Sequence, residues 1–150
     1  MNTWQSVADR VEIAALQAEF TDAGMMRDFD RLASLFTPDG AWRVPHVGFE
    51  FVGREEIRAG IERGQSLWRF FVQNAHPGVI RLDGDTATGR TYIVEFGRFH
   101  DGSSHANHAI YHDRYERTPD GWKFAERLYE VRYLDTTPLP GTAPGREARE

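Results

Sequence analysis

The sequence predicts an α+β domain, with helices packed on one face of an antiparallel sheet. Apolar residues recur at helical spacing over the first third of the chain and at alternating spacing from Leu67 onward. Three polar connections, Asp83-Gly84-Asp85, Asp101-Gly102-Ser103-Ser104 and Thr118-Pro119-Asp120-Gly121, cut the alternating part into four runs and have the composition of hairpin turns. The 150 residues can build one core, so the expected organisation is a single domain over 1–137 followed by an extended or disordered tail over 138–150.

Val7, Val11, Ala14, Ala15, Ala18, Asp22 and Met25 follow one face of a first helix, with Ser6 and Asp9 as capping candidates. On that stripe Asp22 needs a partner or a cavity, because an unpaired buried carboxylate is costly. Phe29, Leu32, Ala33 and Phe36 predict a second helix from about Asp28 to Phe36, stopped by Thr37-Pro38-Asp39-Gly40. A short strand over Ala41–Val44, a connection over 45–53 and a third helix over Arg54–Arg63 follow. The four extended runs are expected near 71–82, 86–99, 106–117 and 122–134. Gly78, Gly89 and Gly97 give this sheet places to bend, and a bent sheet closed by helices makes a cup.

Composition narrows what such a cup can do. The 18 basic and 23 acidic residues give a net charge of −5, which argues against nucleic acid or an anionic membrane as partner. Cysteine is absent, excluding disulfides, thiolate metal sites and a cysteine nucleophile. No leader-like or membrane-spanning apolar run is present, so a cytoplasmic location is expected. Phosphate-cradling glycine loops, a nucleophile elbow and a His-Glu-x-x-His motif are missing as well, so neither a cofactor nor a metal is expected. Side-chain proton chemistry, or binding of a small molecule, remains.

Six histidines and 19 aromatic residues carry that chemistry. Alternation places Val72, Asn74 and His76 on one strand face, making His76 either a general acid–base or a core histidine bonded to backbone. His108 and His112 share a face at about 13 Å, too far apart to hold one metal. The opposite face carries Ala109, Tyr111 and Asp113, and spacing does not say which face lines the cup. His100 and His105 flank a turn and are expected in solvent, whereas His46 sits on a connection that could fold over the mouth of a pocket. Arg127, between Ala125, Tyr129 and Val131, either snorkels at an edge or is partly buried to meet an anion.

The run Arg27-Asp28-Phe29-Asp30-Arg31-Leu32-Ala33-Ser34-Leu35-Phe36, the pair Ala41-Trp42, and Tyr115-Glu116-Arg117-Thr118-Pro119-Asp120-Gly121-Trp122-Lys123-Phe124 resemble the SnoaL-like branch of the nuclear transport factor 2 superfamily. Scytalone dehydratase, the hexachlorocyclohexane dehydrochlorinase and bile-acid dehydratase belong to that group, and the likeness spans about Ser6 to Pro140. It implies a cone-shaped α+β barrel with a deep apolar pocket, in which a histidine paired with an aspartate of the first helix works without a cofactor. By position His76 matches the catalytic histidine, Arg127 the pocket arginine and Asn74 a pocket-wall residue. The aspartate position, three residues before Asp28, carries Met25 instead; Asp22, Asp113 and Glu95 are the carboxylates that could replace it.

The expectation is thus a cofactor-independent lyase, dehydratase or isomerase of a small, largely apolar, aromatic or polycyclic hydroxylated compound. The superfamily's formaldehyde-releasing lyases of diarylpropanoids are one such type. The expected catalytic set is His76, Asp22 and Arg127, with Asn74, Met25, Trp42, Tyr111, Asp113, Phe51, Trp68 and Tyr129 around the substrate. A noncatalytic small-molecule-binding module is the alternative, favoured by Met25. The resemblance further implies a homodimer or homotrimer formed across the outer sheet face, where Val94 and Phe96 project.

Overall fold

The computed structural model describes residues 3–147, with the side chains of 146 and 147 excluded. Helix α1 (Trp4–Met25) begins at Thr3, whose hydroxyl accepts from the Ser6 N–H at 3.1 Å, so Thr3 and not Ser6 is the cap. Helix α2 (Phe29–Ser34) is capped by Asp28. Strand β1 (Phe36–Val44) starts earlier than expected: Thr37-Pro38-Asp39-Gly40, read as a helix stop, is already extended. A 3-10 turn (Pro45–Val47) and strand β2 (Phe49–Val52) occupy the connection read as a loop. Helix α3 (Arg54–Ser66) is followed by β3 (Trp68–Asp83), β4 (Thr86–Phe99), β5 (Ser104–Thr118) and β6 (Gly121–Asp135). The three turns between these strands place Gly84, Gly102 and Gly121 at positive φ, as hairpin turns require.

The six strands form one mixed sheet in the order β2-β1-β6-β5-β4-β3, in which only β1 and β6 pair in parallel. It curls around the helices without closing, since β2 and β3 remain edges. The curl is concentrated where glycines let strands approach. A Cβ at Gly97 would stand 2.4 Å from the Phe70 carbonyl, and one at Gly89 would stand 2.6 Å from that of Val79. Pairing irregularities between Trp68 and Phe70, and between Pro77 and Ile80, lie opposite these two positions. Val94 and Phe96 project from the side of β4 away from Ile93 and Glu95, on the convex face.

Helix α1 buries a different stripe from the one expected. Asp9, Ile13, Leu16, Gln17, Phe20, Ala23 and Gly24 face the sheet, while Val7, Val11, Ala14, Ala15, Ala18 and Asp22 are exposed. Both sets recur at helical spacing, but Ile13, Leu16 and Phe20 remove far more apolar area from water than alanines do. Asp9 lies on the buried stripe because Arg117 grips it with bonds of 2.6 and 2.8 Å and Trp122 Nε1 adds one of 3.0 Å. The Arg117 contact holds its carboxyl well below the usual carboxylate range.

The first part of the tail is fastened: Arg98 donates to the carbonyls of Leu139 and Gly141, and the Leu139 N–H donates to Ser104 Oγ. A short helix α4 (Pro144–Glu147) follows, and residues 148–150 of the expected tail lie outside the described residues. No described helix is long and apolar enough to cross a membrane.

The orientation of α1 is checked by two truncations followed by chemical denaturation. Ile13→Ala, at a fully buried position, is expected to cost about 2–5 kcal/mol. Val11→Ala, at a position 65% exposed, is expected to stay within about 0.5 kcal/mol of the parent; the reverse order would contradict this packing.

Candidate active site

The curled face of the sheet, α1 and α3 enclose a cavity of about 290 Å³. Phe20 and Gly24 come from α1, Ile61 and Gln65 from α3, and Trp42 from β1. Strands β3 to β6 contribute Trp68, Phe71, Gln73, Glu95, Phe99, His105, Tyr111, Tyr129 and Val131, and the turn carrying His46 and Val47 also borders it. Most of this wall is apolar and aromatic.

One line of polar side chains runs through it. His105 Nε2 lies 2.5 Å from Asn107 Oδ1, Asn107 Nδ2 lies 2.5 Å from the Tyr129 hydroxyl, and that hydroxyl lies 2.6 Å from Glu95 Oε1. On its other oxygen Glu95 accepts from Gln73 Nε2 at 2.9 Å, and Gln73 Oε1 accepts from the Thr21 hydroxyl at 2.8 Å. Cross-strand register explains the line, because Gln73, Glu95 and Asn107 are direct partners on β3, β4 and β5.

The direction of every bond follows from the carboxylate. Ionised Glu95 can only accept, so the Tyr129 hydroxyl must donate to it and must in turn accept from the Asn107 amide nitrogen. The Asn107 oxygen is thereby turned to His105 and must accept the Nε2 proton. His105 is thus held with hydrogen on Nε2, which leaves Nδ1 as its basic atom. Burial pushes the Tyr129 hydroxyl well above its ordinary range, and the neighbouring Glu95 pushes it further, so Tyr129 stays a donor. Tyr111 is also raised by burial; its hydroxyl accepts from Trp42 Nε1 at 3.0 Å and has no hydrogen-bond acceptor among the described residues.

Beneath the floor lies a second polar group, out of reach of the cavity. Arg127 and Asp113 are both fully buried and joined by bonds of 2.7 and 3.1 Å. Asp113 also accepts from the hydroxyls of Tyr115 at 2.8 Å and Thr91 at 3.1 Å. The Arg127 guanidinium lies 3.8 Å from the ring centroid of Tyr111, 4.4 Å from that of Phe124 and 4.5 Å from that of Phe20. Burial alone would lower its proton affinity, but Asp113 reverses the effect and holds it up. Nη1 has no hydrogen-bond acceptor among the described residues and rests against these rings.

The expected site residues are therefore distributed differently from the sequence reading. Trp42, Trp68, Tyr111 and Tyr129 line the cavity. Phe51 lies behind it, stacked on Trp42 at 5.5 Å in the space that Gly60 leaves open. Arg127 and Asp113 sit under the floor, separated from the cavity by Tyr111 and Phe20. Asp22 is exposed and bonded to Arg31 at 2.5 Å. The sulfur of Met25 accepts from the Gln73 N–H at 3.2 Å, on the edge strand, and does not border the cavity.

His76 and Asn74 are exposed on β3, on the face opposite Phe71 and Gln73. The irregular pairing between Trp68 and Phe70 sets which alternate residues point inward, and a one-residue change of phase reverses the whole strand. Of the two faces of β5, the one with Tyr111 and Asp113 is inward, while His108 and His112 are exposed, and His112 meets Glu130 at 2.8 Å. The residues missed in the sequence are His105, Asn107 and Gln73. Their signal was register: Asn107 and His105 share the alternation of Tyr111, and Glu95 pairs across to both Gln73 and Asn107.

The model of the SnoaL-like domain matches residues 5–128. The chain belongs to the SnoaL-like family. Among curated relatives it is similar to the gamma-hexachlorocyclohexane dehydrochlorinase of Sphingobium indicum, 29% identical over 147 residues covering 94% of this chain and 90% of the relative. Among solved structures it resembles the type 3 hexachlorocyclohexane dehydrochlorinase of Novosphingobium barchaimii LL02, with a TM-score of 0.80, 24% identity and coverage of 91% and 93%. A scytalone dehydratase-like protein of Novosphingobium aromaticivorans has a TM-score of 0.78 at 16% identity, covering 91% of this chain and 97% of that one. At these identities the solved structures establish the fold alone, with the sheet curled instead of closed into a barrel.

The Asp113–Arg127 pair carries a stability prediction. Asp113→Ala strands a buried guanidinium and is expected to cost about 3–5 kcal/mol in thermal or chemical unfolding. The double variant Asp113→Leu/Arg127→Met is expected to recover a large part of that loss. A single variant as stable as the parent would show that the pair does not hold the floor.

Proposed function

We propose that this SnoaL-like protein is a cofactor-independent lyase, which takes a proton from a small, largely apolar substrate and expels a leaving group. The observation that carries this reading is the directed hydrogen-bond line from His105 to Glu95 in the wall of an aromatic cavity. The names of the dehydrochlorinase and dehydratase-like relatives both describe eliminations, which agrees with it.

In this scheme His105 Nδ1 accepts the proton from a substrate carbon. The electron pair of the broken C–H bond forms a double bond, and the leaving group departs with the electrons of its own bond. Protonation makes the imidazole cationic, and Glu95 offsets that charge through Tyr129 and Asn107 without itself having to move. The Tyr111 hydroxyl, already accepting from Trp42, has its proton available for a departing oxygen or halide. Phe20, Trp42 and Phe99 hold the apolar body of the substrate and exclude water. Residue 25 then needs no carboxylate, because Glu95 on β4 supplies the negative charge at the end of the polar line. His76, Asp22 and Arg127 are not used.

The test is product analysis on a panel of chlorinated cyclohexanes and hydroxylated aromatic or polycyclic compounds, followed by two variants. His105→Ala is expected to lower turnover about 10²- to 10⁴-fold, the usual contribution of a positioned base. His76→Ala, changing an exposed side chain, is expected to leave turnover within about twofold. Loss of activity in His76→Ala together with full activity in His105→Ala would overturn the assignment. Binding without turnover across the whole panel would favour a noncatalytic binding module.

A further inference from the structure

Among the described residues that border the cavity, Glu95 brings the one carboxyl group, and no arginine or lysine contributes to the wall. Its two oxygens accept from the neutral donors Tyr129 and Gln73, and no cation among the described residues is paired with it. A carboxylate in an apolar, half-buried setting is held more firmly when an opposite charge meets it, and each Glu95 oxygen still has a lone pair free.

The nearby positive charges are spent elsewhere. Arg127 is neutralised by Asp113 and screened from the cavity by the rings of Tyr111 and Phe20. Arg98 lies over the Phe70 ring and donates to the Leu139 and Gly141 carbonyls. Around the carboxylate the surfaces are aromatic. The Trp68 ring rests on Gly97, 2.7 Å from where a Cβ would stand, only two residues along β4 from Glu95. Phe71 pairs with that same Gly97, and Tyr129 touches Glu95 directly. The faces of such rings are negative and attract cations, tryptophan most strongly.

We propose that the cavity selects organic cations: small hydrophobic molecules carrying a protonated amine, with the ammonium on Glu95 and against the Trp68, Tyr129 and Phe71 rings, and the apolar body towards Phe20 and Trp42. Carboxylates of the same shape are rejected, because they would face Glu95 with no compensating cation. This names a substrate class for the lyase reading and rests on it only for the claim that the bound molecule is also transformed.

Three molecules with one skeleton test the proposal: naphthalen-1-ylmethanamine, naphthalen-1-ylmethanol and 1-naphthoate, titrated at neutral pH against the quenching of tryptophan fluorescence, with thermal shift as a second readout. The amine is expected to bind at least about tenfold more tightly than the alcohol, and the carboxylate most weakly. In Glu95→Gln the amine is expected to fall to within about threefold of the alcohol measured on the same variant. Equal binding of amine and alcohol to the parent protein, or an amine preference that survives Glu95→Gln, would overturn the proposal. The order of binding in the parent protein decides the matter even if the variant does not fold. No turnover is measured, so the amine preference and the lyase reading fail separately.

Discussion

Asp113 and Arg127 are both fully inaccessible to solvent, and the floor of the cavity follows from how that pair is housed. Two charges taken out of water need good geometry and further hydrogen bonds to be tolerated. Here β6 supplies the guanidinium and β5 the carboxylate in direct register, Thr91 of β4 and Tyr115 of β5 complete the carboxylate, and Gln17 of α1 bonds the Tyr115 hydroxyl at 2.6 Å. The open side of the guanidinium is covered by Phe20, Tyr111 and Phe124. Two of these rings, Phe20 and Tyr111, are also the floor of the cavity, so the ion pair fixes the helix on the sheet and the floor under the substrate in one arrangement.

Above that floor the sheet has to curl enough to make room, and the curl comes from close strand approach at Gly89 and Gly97. The same bend brings Trp68 over Gly97, beside Glu95. The polar line above the floor and the ion pair below it stay separate, since no hydrogen bond joins them among the described residues. Below the floor, Asp113 accepts from Arg127, Thr91 and Tyr115, while the Nη1 of Arg127 is left to the aromatic rings. That separation lets the lower group serve stability independently of the polar line in the cavity wall.

Much of the architecture was legible in the sequence, because the signals were local and strong. β4 has the expected bounds, and each Gly-containing turn sits between the strands it was read to join. The SnoaL-like likeness over Tyr115–Phe124 falls on the β5–β6 hairpin, whose Trp122 meets α1 through Asp9. What the sequence could not show was phase. Helix α1 carries two apolar stripes, and only the packing of Ile13 and Phe20 against the sheet distinguishes them. On β3 the irregular pairing near Phe70 turns Gln73 inward and His76 outward, so the face that alternation gives to Asn74 and His76 is the outer one, opposite to what the resemblance implies. A place next to a turn predicts His105 in solvent, yet β5 begins at Ser104 and already points that side chain inward. The residues around Arg127 allow either an edge or partial burial, because its partner Asp113 lies 14 residues away and is visible only in register.

The central claim is that Glu95 orders the polar line so that His105 carries its hydrogen on Nε2 and keeps Nδ1 as its basic atom. The ¹⁵N chemical shifts of the His105 ring, measured by NMR above its titration, test this directly. The account predicts a protonated, pyrrole-type Nε2 and an unprotonated, pyridine-type Nδ1, with a shift of the Nε2 resonance when Tyr129→Phe breaks the line. A ring protonated on Nδ1, indifferent to Tyr129, would contradict it.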